Sequence, residues 1–206
     1  MIFNRFKRHQ LACAVSGLAL LAAPALAAPS VWIVDPAASK LAFQGTMNGA
    51  PFVGAFRRWT AQIAFDPKAL AASKVNVVID VASAASGDAD RDQALPTDDW
   101  FAAGKFARAS FVTHAFRDLG GGKYLATGDL TIRGVSRSVA LPFTLAIEGD
   151  AARMNGSLAL DRTAFGVGQG QWKAGDVVGA KVVVSVSLAA HRAGAAAQGG
   201  APPRHH

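Results

Sequence analysis

The feature that most constrains this chain is alternation: between residues 32 and 190, apolar side chains recur at every second position. "TAQIAFDP" places Ala61, Ile63 and Phe65 on one face, with Trp59 in phase before them. "KVNVVIDVAS" does the same with Val75, Val77, Ile79 and Val81, and "KYLATGDLTI" with Tyr124, Ala126, Gly128, Leu130 and Ile132. "SVALPFTLAIEG" aligns Val139, Leu141, Phe143, Leu145 and Ile147. "RMNGSLAL" and "KVVVSVSLAA" align Met154, Gly156, Leu158 and Leu160, then Val182, Val184, Val186 and Leu188. A period of two means strands with one dry and one wet face. "WIVD", "SKLAFQG" and "ASFVTHAF" (Ala109–Phe116) read as further strands.

Turn residues separate these strands at short intervals: "LGGG" at 119–122, "RGVS" at 133–136 and "EGDA" at 148–151. Such spacing predicts antiparallel hairpins in chain order. Helices do not recur between the strands, which argues against a parallel α/β sheet. The expected fold is therefore all-β. About eight one-sided strands bury their dry faces and lose their edges when closed into an eight-stranded antiparallel barrel. A two-sheet sandwich would satisfy the same periodicity. Residues 86–108, charged and interrupted by Pro96, break the alternation and predict one or two short helices covering a barrel end or edge, with "TDDWF" as a helix start.

"DRTAFGVGQGQW" (161–172) carries Gly166, Gly168 and Gly170 in alternation. A phosphate-binding glycine loop must lead into a helix N-terminus. This one leads into the strand-like "KVVVSVSL", so its glycines read as turn and bulge positions.

The first 27 residues have the organisation of a cleaved secretory signal. Arg5, Lys7 and Arg8 precede an apolar run from Leu11 to Ala23, and "ALA" at 25–27 offers a cleavage site. The run is shorter than the roughly 20 residues of a bilayer span. The expected domains are thus a signal at 1–27, a barrel at 28–192 and a disordered tail at 193–206, with export to the periplasm. Cys13, the one cysteine, falls in the signal, so no thiolate metal site or cysteine nucleophile is expected in the exported chain. Removing three basic signal residues lowers the formal charge from +7 to +4. The remaining Lys and Arg are scattered, unlike the concentrated stripe of a nucleic-acid binder; transient contact with an anionic membrane surface stays open.

"WIVDPAASKLAF", "GAFRRWTAQIAFDP", "VVIDVASAASGDADRDQAL", "DWFAAGKFARASF", "YLATGDLTIRGVSRSVALPFTL" and "DRTAFGVGQGQW", in this order, resemble the YceI-like family of secreted lipocalin-like proteins. The resemblance runs from Trp32 to about Ala190. It implies an antiparallel barrel whose elongated apolar cavity holds a polyisoprenoid or similar amphiphile in the periplasm, and it allows a homodimer. The chain departs from the family at Ala38 of "PAAS" and in "GTMNGAPFVGAF", where many members carry histidine.

The dry faces contain Phe43, Phe56, Trp59, Ile63, Phe65, Val77, Ile79, Phe111, Leu130, Ile132, Phe143, Leu145 and Leu158. They are core in a filled barrel and the lining of a lipid site in a hollow one; the resemblance favours the second. Small inward residues, Ala61, Ala126, Gly128 and Gly156, would leave room for an alkyl tail. A headgroup at the mouth would meet Arg57, Arg58, Arg133, Arg162 or Lys173. Arg91 and Asp92 are expected to tie the insert to the barrel. No catalytic residue, metal or cofactor is expected: the paired carboxylates Asp90/Asp92 and Asp98–Asp99 read as helix caps, and His114 and His191 lack the partners of a triad. Two functions from different classes remain, a carrier for an isoprenoid- or quinone-like lipid and an envelope interaction module with a filled barrel, partnering a membrane redox protein.

Overall fold

The computed structural model describes residues 28–194; the expected signal and nearly all of the expected tail lie outside them. Eleven strands appear in chain order: β1 (Val31–Val34), β2 (Lys40–Met47), β3 (Ala50–Phe56), β4 (Trp59–Ala64), β5 (Lys74–Asp80), β6 (Ala84–Ala85), β7 (Arg108–Gly120), β8 (Lys123–Ile132), β9 (Val135–Glu148), β10 (Ala151–Asp161) and β11 (Lys181–Arg192). Three pairs of them, β1/β2, β3/β4 and β5/β6, are single strands broken once, so the wall has eight strands. Each wall strand pairs antiparallel with its neighbours in sequence. The barrel closes where β11 returns to the first strand, meeting β1 at Trp32↔Arg192 to Val34↔Ala190 and β2 at Val183↔Gln44 to Ser187↔Lys40. It is an up-and-down antiparallel barrel, as the periodicity predicts.

The hairpins form where the turn residues stand. Arg133 and Gly134 have φ of 50° and 74°, the two positive values of the two-residue turn that matches strand twist. Asn48–Gly49 does the same between β2 and β3, with φ of 50° and 78°. That Asn-Gly pair is a hairpin signal within a segment expected only as a departure from the family.

β7 contains an irregularity that periodicity conceals. Its register with β8 shifts between Thr113 and Ala115, where His114 is extra. The inward set therefore runs Ala109, Phe111, Thr113 and then Phe116. Gly128 lies opposite, and a Cβ there would meet the Val112 carbonyl and Thr113 Cα. Gly128 thus permits close approach of the bulged strand and opens no room for a tail, contrary to expectation. Gly156 likewise abuts the Pro142 carbonyl and Phe143 Cβ.

In the insert, α1 (Ala89–Ala94) begins at Asp88, whose side chain accepts from Arg91 N, and stops before Pro96. "TDDWF" does not start a helix. Residues 97–103 form successive turns, and Asp98 pairs with Lys105 at 2.7 Å. The insert caps one end of the barrel: Trp100 and Phe101 pack with Leu130, Phe165 and Val167. Aromatic rings occupy the opposite end, Phe65 standing 5.1 Å from Phe116 and 5.7 Å from Tyr124, and Tyr124 stacking on Phe143 at 5.4 Å.

Candidate functional site

Between the capped ends lies an internal cavity of about 210 Å³. It exists because all eight wall strands turn their alternate residues to the axis. Apart from Thr113 and the indoles of Trp32 and Trp59, every lining side chain is hydrocarbon or thioether. The Thr113 hydroxyl is already occupied, accepting from Val75 N at 2.8 Å and donating to Val75 O at 3.2 Å. The Trp32 indole donates to Phe65 O at 2.9 Å. The cavity therefore offers dispersion and burial to a guest, with little polar recognition.

Several residues that point at the axis remain only half-buried, among them Leu145, Leu158 and Val184. In a filled barrel such positions would be among the most buried of the chain. Their residual exposure is to the cavity.

Twelve of the thirteen expected apolar residues line it: Phe56, Trp59, Ile63, Phe65, Val77, Ile79, Phe111, Leu130, Ile132, Phe143, Leu145 and Leu158. Phe43 does not. It sits beyond the cavity, packed with Phe52, Leu95 and Val182 under the insert, and its ring covers Gly54. Alternation gave Phe43 the right face but not its depth. Leu41, Leu141, Met154 and Val186 also line the cavity; most belong to the dry faces of the alternating segments.

The five basic residues expected at the mouth are scattered. Arg133 ties the insert to the β8–β9 turn by donating to the carbonyls of Asp98 and Trp100. Arg162 is 5% exposed and donates to the carbonyls of Val167, Trp172, Val178 and Gly179. Burial lowers its pKa, opposed by the Asp161 charge. It organises the 162–180 segment and is not at a mouth. Arg58 pairs with Asp80 at 2.8 Å, and Lys173 is exposed in that same segment at the capped end. Arg57 alone borders an opening: it lines a groove of about 990 Å³ on the outer wall, together with Lys40 and Lys74, which sequence reasoning did not select.

The carboxylates and histidines lie away from the cavity. Asp92 accepts from Ser86 N and Oγ, each at 2.6 Å, and these bonds lower its pKa. Arg91 donates to Ser86 Oγ and lies over the Phe52 ring of β3 at 4.4 Å, so Arg91 joins the insert to the barrel as expected. Asp92, expected to do the same, bonds to Ser86 inside the insert and braces it from within. His114 projects outward at the bulge and meets Asp129 at 2.8 Å. Among the described residues no cluster of three or more His, Cys, Asp or Glu could hold a metal ion.

Known proteins with this sequence and shape agree with the barrel. A UPF0312 protein of Vibrio parahaemolyticus is 35% identical over 130 residues, covering 61% of this chain and 69% of the relative. BcnA of Burkholderia cenocepacia superposes with a TM-score of 0.74 at 37% identity, over 76% of this chain and 99% of the other. The YceI protein of Campylobacter jejuni gives 0.58 at 25% identity, over 67% and 83%. A Saccharophagus degradans domain described as polyisoprenoid-binding gives 0.62 at 15% identity, over 79% and 99%, a likeness of fold alone. Residues 32–190 match the YceI-like domain, the span over which the sequence motifs suggested it, and the chain belongs to that family.

Proposed function

We infer that this protein is a carrier that sequesters a long-chain apolar or amphiphilic lipid, of the isoprenoid class, inside its barrel. One observation carries the reading: a closed barrel that keeps an almost wholly hydrocarbon-lined cavity between two capped ends. Each methylene moved from water into such a space is worth roughly 0.8 kcal/mol, so a long chain binds without a polar anchor. The Saccharophagus degradans domain, described as binding polyisoprenoid, has the same fold and supports the ligand class at that level. The leader-like first 27 residues support work in the periplasm. An interaction module with a filled barrel would lack the cavity, which is why the carrier is preferred. No convergence of polar groups in the cavity favours an enzyme.

The test is a titration with prenyl alcohols of increasing length, followed by the fluorescence of Trp32 and Trp59. Affinity should rise with each added isoprene unit until the cavity is filled. No binding, or affinity indifferent to length, overturns the reading.

A further inference from the structure

Both ends of the barrel are capped, yet the wall has a gap. β1 pairs with β4 only at Val31↔Ala64 and Trp32↔Ile63, and β2 meets β3 only from Leu41↔Phe56 onward. Between these ladders, residues 33–40 face residues 57–62 with no main-chain pairing across. Each lip bonds backward instead. On one side Asp35 N and Ser39 Oγ donate to Ala189 O, and the Asp35 carboxylate receives Ala37 N and Ala38 N. On the other, Arg57 N donates to Ser83 O and Asp80 N to Arg58 O. These bonds anchor each lip to its far neighbour, and none of them crosses the gap.

The outer groove lies over this gap. Phe56, Trp59, Ala61 and Ile63 line both the groove and the internal cavity, so the two spaces share the side chains of the β3/β4 lip. Of these, Phe56 and Ile63 pair across at the two ends of the gap, and Trp59 and Ala61 pair only with β5. Lys40, Arg57 and Lys74 border the groove, no acidic residue does, and none of the three is in an ion pair among the described residues. Val31, Ile33 and Val112, which also border it, are 53%, 47% and 41% exposed. Basic side chains around exposed aliphatic ones are what an anionic bilayer surface attracts.

We propose that the barrel loads and releases its lipid sideways, through the gap between β1/β2 and β3/β4, while Lys40, Arg57 and Lys74 hold this face against an anionic bilayer. The proposal rests on the carrier reading. Phe56 and Trp59 are then the side chains that must swing aside, and neither capped end has to open.

The experiment measures transfer of retinol, a fluorescent isoprenoid alcohol, from vesicles of phosphatidylcholine with or without phosphatidylglycerol. The variant Lys40→Gln/Arg57→Gln/Lys74→Gln should transfer from anionic vesicles about tenfold more slowly, with unchanged equilibrium binding of retinol in detergent. In a Cys13→Ser background, Gln62→Cys carrying a bulky maleimide should slow transfer. The same label on Ala140→Cys of β9, on the opposite wall, should not. Equal rates with both labels, or a neutralised variant as fast as the parent from anionic vesicles, overturns lateral loading and leaves the carrier reading intact. Failure of the unmodified chain to bind retinol overturns both.

Discussion

The guanidinium of Arg162 lies against the α-carbon of Gly168, in the space a Cβ would fill. Gly168 has φ of 82°, and Arg162 donates to the carbonyls of Val167, Gly168, Trp172, Val178 and Gly179 around it. Gly168→Ala should therefore cost about 2 kcal/mol or more from backbone strain and displacement of the guanidinium. Arg162→Met leaves the carbonyls unpaired and should cost about 3–5 kcal/mol, enough to prevent folding of a marginal domain. Urea denaturation of Gly168→Ala gives the smaller number directly.

The cavity predicts tolerance to added volume. Leu158 and Val184 are cross-strand partners and both line it. Leu158→Phe/Val184→Phe should lower affinity for prenyl alcohols at least tenfold while changing stability by less than about 1 kcal/mol. In a filled core the same change would cost about 1–3 kcal/mol from overpacking. Binding and thermal denaturation of the double variant separate the two.

Acid should weaken the fold through carboxylates that accept local hydrogen bonds. Bonds from Ser86 lower the pKa of Asp92, and bonds from Thr163 lower that of Asp161. A group depressed in the folded state stabilises above its unfolded value, about 3.9 for aspartate. That stabilisation is lost as pH falls through the folded value. Stability should be flat near neutrality on this account and fall below about pH 4. Asp92→Asn/Asp161→Asn should show a shallower acid decline in urea midpoints.

Arg133 predicts a local effect. Its two bonds join the insert to the β8–β9 turn, so Arg133→Gln should loosen residues 97–106 without unfolding the barrel. Hydrogen–deuterium exchange should show faster exchange there and unchanged protection in β8 and β9.

The strands, their hairpins and the apolar lining were legible because alternation reports which face of a strand is dry, and Gly-containing turns report where it ends. Alternation does not report depth, and Phe43 therefore sits under the insert. Nor does it see a one-residue bulge, so Gly128 read as a source of space when it accommodates the Val112–Thr113 backbone of the bulged strand. Charge alone marks Arg162 as a surface residue; only the chain doubling back at 167–179 supplies the carbonyls that bury it. The gap in the wall depends on where β1/β2 and β3/β4 break relative to each other, a relation between residues about 25 apart that no local pattern carries.

The central claim is that the barrel holds a lipid, and native mass spectrometry of the purified protein, followed by organic extraction of what it carries, tests it most directly. The account predicts a stoichiometric long-chain apolar molecule that leaves on extraction and returns when prenyl lipid is added. A bare polypeptide mass that stays bare after prenyl lipids and quinones are supplied would contradict it.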